Sequence, residues 1–298
     1  MNVNRTTRVI GLAVLFVAAN GRGPARADAQ TAQQHLQLVL GNYALATLAQ
    51  FAGKVMSGQN VGRAVRHSAV EALVPAGLQH AGMMLLGRSW RLALPAQALV
   101  QKGAMLQRRS MLEQPLFEGF WTSWELDYLW FNLRLDHGHV RSPRVNLETV
   151  RAALVKRHPT PARLEWSRSL ITGVPTRLAD RLRGGAWGRE MGQLVDLNRD
   201  VMNGTATNRD GGEAVYRHEL VHTLQSIRGS ALLDVMLRQD AAQTRPLGFL
   251  RYNMALPDLN QVQAFLLNGN RPVDHRLRFS EWEADAYAGR TIRSFTWH

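Results

Sequence analysis

Three residues of one short segment have the types and spacing expected of a metal-dependent hydrolase. His218 and His222 are four positions apart, and Glu219 follows the first of them, in the pattern H-E-x-x-H. On a helix, positions four apart lie on one face, so both imidazoles can bind a single metal ion. Glu219 can then act as general base for a water on that ion. Two neutral nitrogens suit zinc, although affinity alone does not exclude cobalt or nickel.

A zinc site of this kind needs a third protein ligand. The chain has no cysteine, and no third histidine follows at the spacing H-E-x-x-H-x-x-G-x-x-H. We therefore expect a carboxylate from a second helix. Ser280 is predicted to cap that helix with Glu283 in a capping box, which leaves Glu281 free to bind the metal. Asp285 lies on the same face as Glu281 and can orient a ligand histidine, while Glu283 stays open as the alternative ligand.

The two segments HELVHTLQ and EWEADAYA together resemble the gluzincin zinc metallopeptidases, especially the compact minigluzincins with an E-x-x-x-D glutamate helix. The resemblance covers about Ala186 to Ala288, roughly a third of the chain. It implies a zincin-like fold with two zinc-site helices and a preceding edge strand that binds the substrate. It also implies roles for five residues, with His218, His222 and Glu281 as zinc ligands, Glu219 as general base and Asp285 as the orienting aspartate.

A second donor must stabilise the oxyanion that forms during peptide hydrolysis. His275 and Tyr287 are candidates, as are Tyr252, Arg276 and Arg278, and the sequence does not rank them.

The zinc helix is predicted from Glu213 to Arg228, with Gly229 as its stop signal. Alternating polar and apolar residues predict extended structure from Ala186 to Asn198. An exposed edge of such a strand can hold an extended peptide by main-chain hydrogen bonds. We therefore expect a polypeptide substrate.

The first 27 residues are typical of a secretory signal. Arg5 and Arg8 precede the apolar run Val9 to Ala19, and Ala25-Arg26-Ala27 offers a cleavage site. An uncleaved N-terminal anchor is the alternative. We expect an exported protein, periplasmic or secreted, which the lack of cysteine also allows.

Residues 28–115 are predicted to form a helical region rich in small residues. It either packs on the rest of the protein or lies on a membrane surface. The metallopeptidase domain is then expected over residues 116–298. Within it, the aromatic stretch Phe117 to Leu135 is predicted as a buried helix that ends in a turn at Gly138, with a partner or membrane interface as the alternative. Arg163 to Thr172 is predicted as a strand, and Val174 to Leu182 as a turn followed by a helix.

The expected fold class is therefore α+β, mostly helical, with a small sheet in the metallopeptidase domain. The chain has a net charge of +13 at pH 7, nearly all from arginine. Its arginines form no basic stripe interleaved with aromatic residues, so we expect no nucleic-acid partner. The charge favours either a solvated basic surface or contact with a membrane or another anionic envelope surface.

We predict a zinc metalloendopeptidase that hydrolyses peptide bonds, with Glu219 as general base. The alternatives are a non-catalytic, zinc-stabilised envelope protein that binds a partner or membrane, and a basic surface-binding protein in which H-E-x-x-H is accidental.

Overall fold

The structure is a computed structural model that describes residues 32–146, 149–150, 161–182, 186–191, 193–204, 211–241 and 279–289. It is an α+β protein and mostly helical, as predicted. The predicted signal segment, residues 1–27, lies outside the described residues.

The N-terminal region is helical, as its sequence predicts. Asn60 begins one of its helices by accepting hydrogen bonds from the backbone N–H groups of Gly62 and Arg63. A 3₁₀ turn at Trp90–Leu92 separates the last two helices. The four helices are α1 (Ala32–Met56), α2 (Val61–Glu71), α3 (Leu73–Arg88) and α4 (Ala93–Met111).

Small residues let these helices approach closely. A Cβ added at Gly82 of α3 would lie 2.5 Å from the backbone oxygen of Ala96 in α4, so a side chain there would force the two helices apart. Most of α4 is buried. Among the described residues no single helix is long and apolar enough to cross a membrane, and only α2 and α3 together, bent by 41°, meet that criterion.

The aromatic stretch forms a β-meander, and its prediction as a helix is wrong. Its antiparallel strands are β1 (Trp124–Tyr128), β2 (Phe131–Asp136) and β3 (His139–Val145). Polar and apolar residues alternate along β1 and β2 with the period of two that is typical of strands. The aromatic residues of the same stretch also fit a helical spacing, which obscures this alternation. The predicted turn is present, with positive φ at both His137 and Gly138, as a two-residue hairpin turn requires.

The polar face of the meander, rather than its apolar face, packs on α4. Arg108 of α4 donates to Glu125 of β1 at 2.7 Å, and Gln101 of α4 donates to the buried Asp127. The prediction of a buried aromatic core in this stretch is therefore wrong. Exposed apolar side chains on the opposite face include Phe131, Leu133, Val140 and Val145.

A second sheet precedes His218 in sequence. Its strands, in spatial order, are β4 (Arg163–Leu164), β5 (Thr176–Ala179), β7 (Leu194–Asn198) and β6 (Gly188–Met191). Strand β5 is parallel to β7, whereas β6 pairs antiparallel with β7 and lies at the edge. Helices α5 (Trp166–Thr172) and α6 (Arg199–Met202) follow β4 and β7 along the chain. The prediction of a strand over residues 163–172 is correct only for Arg163–Leu164, because the rest of that range is largely α5. The predicted helix after 174 is wrong, since this segment contains β5, and short apolar segments fit either structure.

Helices α7 (Gly211–Ala241) and α8 (Phe279–Ala288) complete the described fold. Helix α7 continues through Gly229, so this glycine is not the predicted stop. Gly229 is buried, and tertiary packing of the helix overrides its low helix propensity.

A hydrophobic core extends across the predicted boundary at residue 115. It joins Leu38 of α1 and Met83 of α3 to Leu197 of β7, Tyr216 of α7 and Trp282 of α8. Burial of such side chains stabilises the fold by roughly 1.5–3 kcal/mol each. The N-terminal helices therefore help to hold α7 and α8 in place.

Candidate metal centre

Helix α7 presents His218 and His222 on one face, as their spacing predicts. Their Nε2 atoms lie 3.1 Å apart, so the two rings point toward a common position. Both side chains are buried. Tyr216 and Leu220 lie in the hydrophobic core, which fixes the rotation of the helix about its axis.

Helix α8 brings Glu281 to the two histidines. Its Oε2 atom lies 3.3 Å from Nε2 of His218, and its Oε1 atom lies 3.5 Å from Nε2 of His222. Within the described ranges, these three residues form the one group of histidine and carboxylate side chains whose geometry could hold a metal ion.

Each histidine also contacts a second polar side chain through its other nitrogen. Nδ1 of His222 lies 2.7 Å from Oε1 of Gln225. Nδ1 of His218 lies 2.9 Å from Oδ1 of Asp285, within ion-pair distance. Asp285 therefore lies at the position predicted for the orienting aspartate. Such outer contacts fix the ring orientation of metal-binding histidines.

The cluster stabilises negative charge on Glu281. Burial opposes ionisation of this carboxyl, but the hydrogen bonds and charges of His218 and His222 outweigh it and hold the pKa of Glu281 far below its ordinary value. Burial likewise opposes the charge on His218, and contacts with Asp285 and Glu281 raise the pKa of His218. A metal ion would have to displace a proton from this site, so its binding is linked to pH.

The side chain of Glu219 lies against Gly188 of the edge strand β6. A Cβ added at Gly188 would lie 2.6 Å from Oε1 of Glu219 and 2.7 Å from its Cγ. Only glycine therefore lets the strand approach this carboxylate without displacing it. The sequence predicts extended structure here but gives no signal that identifies Gly188 as the residue that contacts Glu219.

Glu283 lies on a different face of α8 and does not form the predicted capping box. The helix begins at Phe279, before Ser280, and Glu283 is completely buried. Its two carboxylate oxygens accept hydrogen bonds from Arg228 of α7, both at 2.9 Å. The expectation that Glu283 is engaged elsewhere agrees with the structure, although the group that engages it is Arg228.

Tyr287 does not have the contacts expected of a transition-state donor. Its hydroxyl lies 2.6 Å from Nδ1 of His80 and accepts a hydrogen bond from Nδ2 of Asn42 at 3.1 Å. Burial raises the pKa of Tyr287 well above its ordinary value. The hydroxyl is thus committed to the N-terminal helices, which corrects its predicted role. His275 and Tyr252, the other candidates, lie outside the described residues.

Comparisons with protein-family models, curated proteins and solved structures give no match to this chain. Its function must therefore be inferred from the chemistry of the site itself.

Proposed function

We propose that this chain is a zinc-dependent metallopeptidase of the gluzincin type. The convergence of His218, His222 and Glu281 carries the proposal, because their closest donor atoms are separated by 3.1, 3.3 and 3.5 Å. Two ligands of one tetrahedral zinc, each about 2.0–2.1 Å from the ion, are about 3.3 Å apart. The donor set and its spacing therefore fit zinc without a large rearrangement.

A zinc ion held by these three residues would supply Lewis acidity and would lower the pKa of a bound water. Glu219 is the general base of the proposed reaction. It follows His218 directly on α7, and its carboxylate contacts the edge strand rather than joining the ligand group. In this role it accepts a proton from the attacking water and delivers it to the leaving amine.

The proposed substrate is an extended polypeptide that pairs with β6. This strand is at the sheet edge, and its residue Gly188 packs on Glu219, so a peptide added at this edge would pass beside the proposed base. Pairing through main-chain groups binds many sequences. This arrangement supports the proposal of an endopeptidase with broad sequence tolerance.

A peptide-library digest with zinc-loaded protein tests the proposal. We expect wild type to cleave peptides and a chelator to abolish cleavage, with activity restored by added zinc. Glu219→Gln should retain zinc and lose more than about 10³-fold in kcat, because it cannot accept the proton.

Glu213→Gln is a matched control on the first turn of the same helix and should leave kcat close to that of wild type. Undiminished cleavage by Glu219→Gln, or by chelated wild type, would reject the proposed mechanism.

The exposed fractions of His218 and His222 are only 6% and 8%. Such low exposure favours a second candidate function, in which the zinc site only stabilises the fold of an envelope protein. Equimolar zinc, a lower unfolding temperature after chelation and no cleavage of any library peptide would support this candidate instead.

A further inference from the structure

The amide of Gln225 has only one orientation that satisfies its contacts. Its Nε2 lies 2.8 Å from Oε2 of Glu283 and 2.9 Å from the backbone oxygen of Ser280. Both of these oxygens are acceptors, so the NH₂ group must face them. Oε1 of Gln225 must then face His222, at 2.7 Å from its Nδ1.

This orientation determines which nitrogen of His222 carries a proton. An amide oxygen can only accept, so Nδ1 of His222 must donate to Gln225. In the neutral ring, Nε2 then holds the lone pair, and Nε2 is the atom that faces His218 and Glu281. The contacts of Gln225 thus select the tautomer that can bind a metal at this position.

A buried ion pair holds Gln225 in turn. Glu283 accepts from Arg228 through both carboxylate oxygens, which keeps it an acceptor for the Gln225 amide. Arg228 also donates to Oδ1 of Asn42 on α1. All four of these side chains are 5% exposed or less. A continuous path of hydrogen bonds therefore leads from the N-terminal helices to His222.

We propose that Gln225 is a positioning residue that holds His222 with Nδ1 protonated and with Nε2 as the nitrogen that would bind a metal, and that Glu283 and Arg228 fix the Gln225 amide. This inference rests on the proposed function in that the metal is the one assigned to His218, His222 and Glu281. It goes beyond that function because it assigns Gln225 as the orienting group of His222, in the way that Asp285 is proposed to orient His218.

Zinc binding to metal-free protein provides the first test, by competition with a chromophoric chelator. Gln225→Met keeps the side-chain length but removes both the acceptor and the donor, and it should weaken zinc binding about 10–100-fold. Gln225→Glu keeps an acceptor for Nδ1–H and, with its own carboxyl protonated, a donor toward Glu283, so it should bind zinc more tightly than Gln225→Met.

Asn42→Ala is the matched control, because it removes a contact at the far end of the same network without touching Gln225. It should lower the unfolding temperature but leave zinc affinity close to that of wild type. Wild-type affinity in Gln225→Met, or an equal loss of affinity in Asn42→Ala, would overturn the proposal.

Imidazole ¹⁵N NMR of metal-free protein reads the His222 tautomer directly, at a pH where the ring is neutral. We expect the Nδ1–H tautomer in wild type and a mixture of tautomers in Gln225→Met; the same single tautomer in both proteins would overturn the proposal. A wild type that shows the Nδ1–H tautomer yet binds no zinc would contradict the proposed metal centre while supporting the orienting role of Gln225.

Discussion

A partly buried carboxylate, Glu281, and a buried one, Asp127, have opposite electrostatic surroundings. Glu281 of α8 lies between two imidazoles, which hold its pKa far below the ordinary value. Asp127 of β1 instead accepts from the neutral amides of Asn132 and Gln193, at 2.7 and 2.6 Å, and from Gln101. Burial raises the pKa of Asp127 to about 6, and the amide donors offset only part of that effect.

This difference in surroundings distinguishes Glu281, whose neighbours could help to hold a cation, from Asp127, which makes structural contacts. The partners of Glu281 are imidazoles, a side-chain type that can bind metals once it is neutral, so a metal ion could supply the positive charge in this cluster. The partners of Asp127 use their N–H donors on it and offer a metal no comparable ligands. Burial of a carboxylate is therefore weak evidence for function, and the chemistry of its partners decides its role.

The largest expected effect on metal binding comes from deleting the carboxylate beside the histidines. Glu281→Ala should weaken zinc binding by more than about 100-fold, because a three-ligand site loses one ligand. Glu283→Ala should retain far more zinc affinity but lose about 3–5 kcal/mol of stability, since it leaves Arg228 buried without its ion-pair partner. Metal analysis after dialysis and chemical unfolding of both variants measure the two effects. Full zinc retention in Glu281→Ala would remove the distinction between Glu281 and Asp127.

A smaller effect is expected from filling the space between β6 and Glu219. Gly188→Ala should push the carboxylate out of place and lower kcat by about 10–100-fold, while zinc affinity stays near that of wild type. Steady-state kinetics on a peptide found by the library digest, with a zinc titration alongside, provide the measurement.

Gly77→Ala is the matched control, because a Cβ added at Gly77 of α3 meets nothing within 4 Å. Equal kcat in Gly188→Ala and wild type would show that the position of Glu219 does not limit the reaction.

The smallest expected effect is a pH dependence of the unfolding free energy, caused by Asp127. In the folded state its pKa is about 6, above its ordinary value of 3.8, so the folded protein keeps a proton that the unfolded chain releases between these values. The stability that Asp127 contributes is therefore present below about pH 4 and is lost as the pH rises through 6.

Between pH 4 and 7, wild type should lose about 1–3 kcal/mol of unfolding free energy relative to Asp127→Asn. Urea unfolding of chelator-treated protein at several pH values measures this difference, and other titrating groups cancel between the two proteins. A difference that does not change with pH would mean that Asp127 is ionised throughout this range.

Local sequence was sufficient for features that depend on neighbours along one helix or turn. The spacing of His218 and His222 places both rings on one face of any helix that contains them, and the structure has that helix. The mostly helical α+β class and the turn at Gly138 were also predicted, because they follow from periodicity and from the conformational freedom of glycine. The β-meander was missed even though its strands alternate polar and apolar residues, since aromatic spacing in the same stretch also fits a helix.

Tertiary structure decided which residues distant in sequence meet. Glu281 and Glu283 are two positions apart, and only the packing of α8 on α7 places the first beside the histidines and the second against Arg228. The contacts of Gly188 with Glu219 and of Asn42 with Arg228 likewise join separate elements. The sequence by itself determined the histidine pair and the glutamate next to it, because a helix repeats every 3.6 residues. The third member of the cluster, and the side chains that contact the two histidines, depend on rotations and distances between elements, which no local pattern specifies.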